Sequence, residues 1–118
     1  MFPTTTIFIT RYVADHEAAI QWYTDFFGEA PSGAPVPNCR EWEPRPGVIF
    51  QVIEQPDQAG STTFAFGVED LAGVRTRLAE TSLTEETSWQ VKGFDALTYA
   101  EYADPEGVRT GLLNISQH

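Results

Sequence analysis

The apolar and polar positions of the chain change rhythm several times, and the changes outline its elements. Residues 4–13 (TTTIFITRYV) are β-branched and aromatic, which predicts a strand. Asp15 then offers a carboxylate to the free N–H groups of a first helical turn. Ala19, Tyr23, Phe26 and Phe27 follow on one apolar face, and Gly28 stands where a left-handed cap ends the helix. Residues 30–38 hold three prolines and a glycine and predict a loop with room for a short edge strand. Residues 39–43 and 47–54 read as two strands joined by a Pro/Gly turn.

The turn formers of Pro56–Gly60 read as a linker, after which the order restarts. Residues 61–69 (STTFAFGVE) predict a strand, Asp70 a helix cap, and Leu71, Val74 and Leu78 an apolar stripe on a helix reaching about Ser82. Strands are expected over 87–92, 97–103 and 107–115. Before the last of them, Pro105 presets φ and Gly107 tolerates a positive φ, so the reversal costs little.

The restart is a repeat. An offset of 55 residues lays Val13–Ala14–Asp15 on Val68–Glu69–Asp70, Ala19 on Val74 and Tyr23 on Leu78. After the helix the offset becomes 60, placing Gly47–Val48 on Gly107–Val108, Val52 on Leu112, and Glu41–Trp42 on Glu101–Tyr102. The expected fold is therefore α+β: one domain, 1–118, of two βαβββ half-repeats at about 1–56 and 61–118, with the linker at 56–60. A single half leaves open edges and bare apolar surface. Two halves can close a curved mixed sheet around a cleft.

Composition narrows the function. The chain is 42% hydrophobic and 13% aromatic, enough for a packed interior. Its net charge of −10 repels nucleic acid and anionic membranes, suits a cationic small molecule, and also serves solubility. No apolar run approaches a membrane span and no charged-then-apolar leader opens the sequence, so a cytoplasmic protein is expected. The single cysteine, Cys39, has no disulfide partner and no accompanying histidine, which makes it a poor nucleophile.

The order and double spacing of Val13–Ala14–Asp15, Trp22–Tyr23, Phe27–Gly28, Val68–Glu69–Asp70–Leu71 and Asp104–Pro105–Glu106–Gly107 resemble the vicinal oxygen chelate superfamily. That superfamily includes glyoxalase I, extradiol dioxygenases, fosfomycin-inactivating transferases and bleomycin-resistance proteins. The resemblance implies homodimers, and in metal-dependent members it implies His or Gln from first strands and Glu from last strands. Here those positions carry Phe8, Thr63, Gln51 and Gly111, and the 55- and 60-residue offsets pair them in the same way. Phe8 and Gly111 have no side-chain donor, Thr63 a neutral hydroxyl and Gln51 one weak carbonyl. His16 follows a helix cap and His118 is terminal, so neither replaces a ligand. No metal and no other cofactor is expected.

Alternation from those positions turns Phe8, Thr6 and Thr10 toward the cleft, with Ile49, Gln51 and Ile53, Ala65 and Gly67, and Arg109, Gly111 and Leu113. A mostly apolar lining with a few polar groups fits an organic ligand. Phe8 stacks on a ligand or fills the space of a metal. Arg109 binds an anionic group or is a solvated ion pair. Glu41 and Glu101 act as acid and base, hold a cation, or are exposed strand carboxylates. Trp42 and Tyr102 line the cleft or pack the core, and Trp22 and Trp89 are expected at helix or dimer contacts. The ligand-binding set is thus Phe8, Trp42, Gln51, Thr63, Tyr102, Arg109 and Gly111, with no catalytic residue assigned. The function expected is a metal-free drug-binding or sequestering protein of the bleomycin-resistance type. The alternative is a glyoxalase-like lyase, transferase or dioxygenase, either metal-dependent or using a cleft carboxylate.

Overall fold

A computed structural model describes residues 3, 6–60, 64–90 and 98–114. The chain divides into two compact units, 1–60 and 61–118. The first contains β1 (Ile7–Val13), α1 (His16–Phe27), β2 (Cys39–Arg45) and β3 (Val48–Glu54), then a 3-10 turn at Pro56–Gln58. The second contains β4 (Phe64–Val68), α2 (Leu71–Ala79), β5 (Glu85–Gln90), β6 (Thr98–Ala103) and β7 (Arg109–Asn114).

Each unit builds one mixed sheet, in the orders β1-β3-β2 and β4-β7-β6-β5. In both, the strand before the helix pairs in parallel with the last strand, and the remaining neighbours are antiparallel. The strand that stands as β5 in the second unit is reduced in the first to one bridge, Gly33 to Glu41. Pro31, Pro35 and Pro37 surround that bridge and have no N–H to extend a ladder.

Local chemistry sets the helix ends. Asp15 Oδ1 accepts from the Ala18 N–H at 3.1 Å, and α1 stops at Gly28 with φ 81°. Asp70 Oδ1 accepts from the Gly73 N–H at 3.0 Å at the start of α2. That helix ends at Ala79, short of the expected Ser82. There the Thr81 hydroxyl donates to the Leu78 carbonyl at 2.6 Å and accepts from the Leu83 N–H at 3.1 Å, a side-chain alternative to further helical bonds.

The two repeated turns carry Gly47 at φ 85° and Gly107 at φ 80°, left-handed values that a side chain would strain. The first is tied by the Glu43 carboxylate accepting from Gly47 N–H at 3.0 Å. The second is tied by buried Asp104, whose Oδ1 accepts from the N–H groups of Glu106 and Val108 at 2.9 and 3.1 Å.

One face of each sheet is covered by its helix. In the first unit Tyr23, fully buried, lies 5.0 Å between ring centroids from Phe50 and 6.3 Å from Trp42, and Phe27 lies 5.5 Å from both. Arg11 shares this buried side with Val13 and donates from Nη1 to the Tyr12 carbonyl. In the second unit Leu71, Leu78, Ala100, Tyr102 and Leu112 form the core. Trp42 and Tyr102 are each only 2% exposed and belong to these cores, which corrects their expected place in a ligand-lining set. The Trp42 indole N–H donates to the Glu29 carbonyl at 3.0 Å, so the ring is buried without leaving its donor unpaired.

Candidate functional site

Strand alternation leaves the other face of each sheet free of its helix. On the first sheet this open face carries three registers of side chains. Phe8 stands opposite Ile49, Thr10 opposite Gln51, and Tyr12 opposite Ile53 on β1 and β3. Across β2 the same registers continue with Glu41 beside Gln51 and Cys39 beside Ile53. The middle register is a hydrogen-bonded line: Thr10 Oγ1 donates to Gln51 Oε1 at 3.0 Å, and Gln51 Nε2 donates to Glu41 Oε2 at 2.6 Å. Gln51 therefore spends both ends of its amide on neighbours. Cys39 is buried, and burial, then the Glu41 charge, raises its thiol, which holds it in the unreactive protonated form.

The second sheet repeats the line with different chemistry. Ala65, Gly111, Glu101 and Thr87 stand in one register across β4, β7, β6 and β5. Ala65, Gly111 and Glu101 occupy the repeat positions of Thr10, Gln51 and Glu41. Pairing register thus assigns Glu41 and Glu101 to the open faces. The Glu101 carboxylate accepts from Arg109 Nη1 at 3.0 Å on Oε1 and from the Tyr99 hydroxyl at 3.0 Å on Oε2. Tyr99 in turn lies 4.5 Å from the ring of Trp89, which is 47% exposed on this face. Trp89 is therefore not buried against the helix of its own unit.

Tyr99 covers Gly111. A β-carbon built on Gly111 would lie 2.2 Å from the Tyr99 hydroxyl oxygen and 2.4 Å from Cζ. The absence of a side chain at 111 is what lets the phenol reach Glu101. Burial, and then the hydrogen bond to Glu101, pushes the Tyr99 phenol up to about 12 from its ordinary 10.0, against the smaller opposing pull of Arg109. Tyr102 is also raised, by burial first and then by the Glu85 charge. Because folding raises the Tyr99 value, its contribution to stability is complete below pH 10.0 and is lost as the pH climbs toward 12. In a spectrophotometric titration Tyr99→Phe is expected to remove a late-ionising phenol and to flatten the alkaline loss of stability in that window. An unchanged titration curve would show that Tyr99 is not the phenol held by Glu101.

The metal-ligand positions implied by the family resemblance do not suit a transition metal. Phe8 is 60% exposed and offers no donor, Gln51 is engaged at both ends, and Gly111 lies under Tyr99. Thr63 lies outside the described residues, as does His118. His16 Nε2 sits 3.2 Å from the Val52 carbonyl. Among the described residues no group of three or more His, Cys, Asp or Glu side chains is placed to hold an ion.

Of the expected ligand-binding set, the structure places Phe8 and Gln51 on the open face of the first sheet and Arg109 and Gly111 on that of the second. Tyr102 instead faces α2, where its hydroxyl donates to Glu85 Oε1 at 3.4 Å beside the two-bond Arg75–Glu85 pair. Tyr99 and Trp89 were missing from that set. Their signal was alternation from Glu101 through Tyr99 to the facing residue of β5, readable only once the face of Glu101 is known.

No family model matches the chain, and no curated protein matches it. Solved structures do. A glyoxalase / bleomycin resistance protein from Catenulispora acidiphila DSM 44928 superposes with a TM-score of 0.88 over 96% of this chain and 100% of that one, at 23% identity. Lactoylglutathione lyase from Agrobacterium tumefaciens gives 0.75 over 95% and 94%, at 16% identity. TnmS3, an antibiotic binding protein from Streptomyces sp. CB03234, gives 0.70 over 98% and 99%, at 17% identity. At such identities the likeness is one of fold: the chain shares the fold of these glyoxalase/bleomycin-resistance structures.

Proposed function

We propose that this protein binds a small organic molecule, without a metal, on the open faces of its two sheets. The observation that carries the reading is the replacement of ligand chemistry at the implied metal positions by internal partners. Gln51 is tied to Thr10 and Glu41, and Gly111 is closed over by Tyr99. The exposed aromatic side chains Phe8 and Trp89 support the same reading, since large apolar groups left open on a sheet face suit an organic ligand. The antibiotic-binding likeness supports sequestration as the biological role.

The competing reading, a glyoxalase-like lyase, transferase or dioxygenase, draws on the lactoylglutathione lyase likeness. In its metal-dependent form it requires about three strong donors around one ion, and Phe8, Gln51 and Gly111 do not supply them. In its metal-free form it needs a carboxylate able to take a proton; both oxygens of Glu101 are engaged, and Glu41 accepts from Gln51 on Oε2. Among the described residues no helix is long and apolar enough to cross a membrane.

Native mass spectrometry of freshly purified protein, with and without added Zn²⁺ or Ni²⁺, tests the proposal. The expected spectrum shows no stoichiometric metal in either sample, and an organic adduct whose mass begins to identify the ligand. The same spectrum reads the homodimer implied by the family resemblance. One tightly held ion per protomer would overturn the metal-free reading.

A further inference from the structure

The overall charge of −10 suggests a cationic ligand, but the open face of the second sheet carries a different local charge. Glu101 is nearly withdrawn from solvent, with its side chain 8% exposed, whereas the Arg109 side chain paired with it is 62% exposed. The Tyr99 hydroxyl takes the second Glu101 oxygen, so the carboxylate has little left to offer a cation. Arg109 spends one Nη1 bond on Glu101, and no described residue accepts from its Nε or Nη2. The pair thus presents a positioned guanidinium to solvent and hides its counter-charge.

From this cation a run of side-chain contacts leads back to an exposed aromatic ring. Contacts pass without a break from the Trp89 ring to Tyr99 at 4.5 Å, from Tyr99 to Glu101 at 3.0 Å, and from Glu101 to Arg109 at 3.0 Å. Ala65, Gly67 and Gly111 stand on the same face and add no bulk above it. A guanidinium held from one side matches a carboxylate or sulfonate in plane and charge. An exposed indole at the other end of that run, on the same face, matches an aromatic ring.

We infer that the open face of the second sheet binds an aromatic acid, its anionic group on Arg109 and its ring system on Trp89. This rests on the small-molecule reading and reverses the ligand charge that the net charge suggests. Glu101 and Tyr99 are positioning residues: they hold the guanidinium and support the indole without touching the acid.

Calorimetric titration with 2-naphthoate and with 2-naphthylmethylammonium, which share a ring system and differ in charge, tests the inference. The naphthoate is expected to bind more tightly, and Arg109→Met to weaken it by about tenfold or more while sparing the ammonium probe. Arg109→Lys keeps part of the affinity, because the charge remains and the planar fork is lost. Removing Arg109 leaves Glu101 without its counter-charge, so the double variant Glu101→Gln/Arg109→Met is measured beside it and is expected to show the same loss. Trp89→Ala should weaken both probes. Tighter binding of the ammonium, or naphthoate affinity unmoved by both Arg109→Met variants, overturns the aromatic-acid inference and leaves small-molecule binding standing. Failure of both probes to bind overturns both.

Discussion

Phe50→Ala is expected to destabilise the first unit by about 3–5 kcal/mol, the range for deleting a buried phenylalanine whose surroundings collapse only in part. Phe50 is fully buried on the helix side of β3, and its ring meets Tyr23 at 5.0 Å and Phe27 at 5.5 Å. These three rings, with Trp42, form an aromatic contact between α1 and its sheet, so the cavity would open where helix and strands meet. Such a loss is a large share of the stability of a small protein. Denaturant unfolding followed by tryptophan fluorescence reads it, because Trp42 sits in the same cluster. A change within 1 kcal/mol would mean that α1 is held by other contacts than this aromatic group.

Gly111→Ala is expected to cost about 1–3 kcal/mol through overpacking, and its more telling effect falls on Tyr99. The new methyl would stand 2.2 Å from the Tyr99 oxygen and 2.6 Å from Cε2, so the phenol must swing aside. Swinging aside breaks its hydrogen bond to Glu101 and its tilted ring contact with Trp89. The Tyr99 phenol, pushed up to about 12 in the intact protein, should then ionise closer to its ordinary 10.0. Thermal unfolding and an alkaline absorbance titration check the two effects together. A variant with wild-type stability and an unaltered late phenol would show that Tyr99 does not lie over residue 111.

What could be read from the chain alone follows the reach of the interactions involved. The ends of α1 were readable because Asp15 and Gly28 act on their own neighbours within one helical turn. The end of α2 was not, because it depends on a Thr81 hydroxyl competing for backbone groups rather than on a glycine. The repeat placed Gln51 and Gly111 on equivalent strands through spacing, and the ladders bear that equivalence out in register. The faces of Glu41 and Trp42, and of Glu101 and Tyr102, were beyond local pattern. Both pairs couple an acidic with an aromatic residue, and either can be the buried member of a strand. Only antiparallel pairing with β3 and β7 assigns the carboxylates to the open faces and the rings to the cores. Tyr99 was hidden for the same reason, since its role depends on which way Glu101 points. The reduced second strand of the first unit was foreshadowed by its prolines.

All five described strand ladders join partners from the same unit, and this bears on how the chain is made. Once residue 54 has left the ribosome, every strand of the first sheet is available, and so is the helix that covers it. The parallel β1–β3 pair can close while β4–β7 is still being translated, in keeping with the tendency of domains to fold as units from the amino terminus. The Phe50 cluster would then assemble during synthesis, before the second sheet is complete.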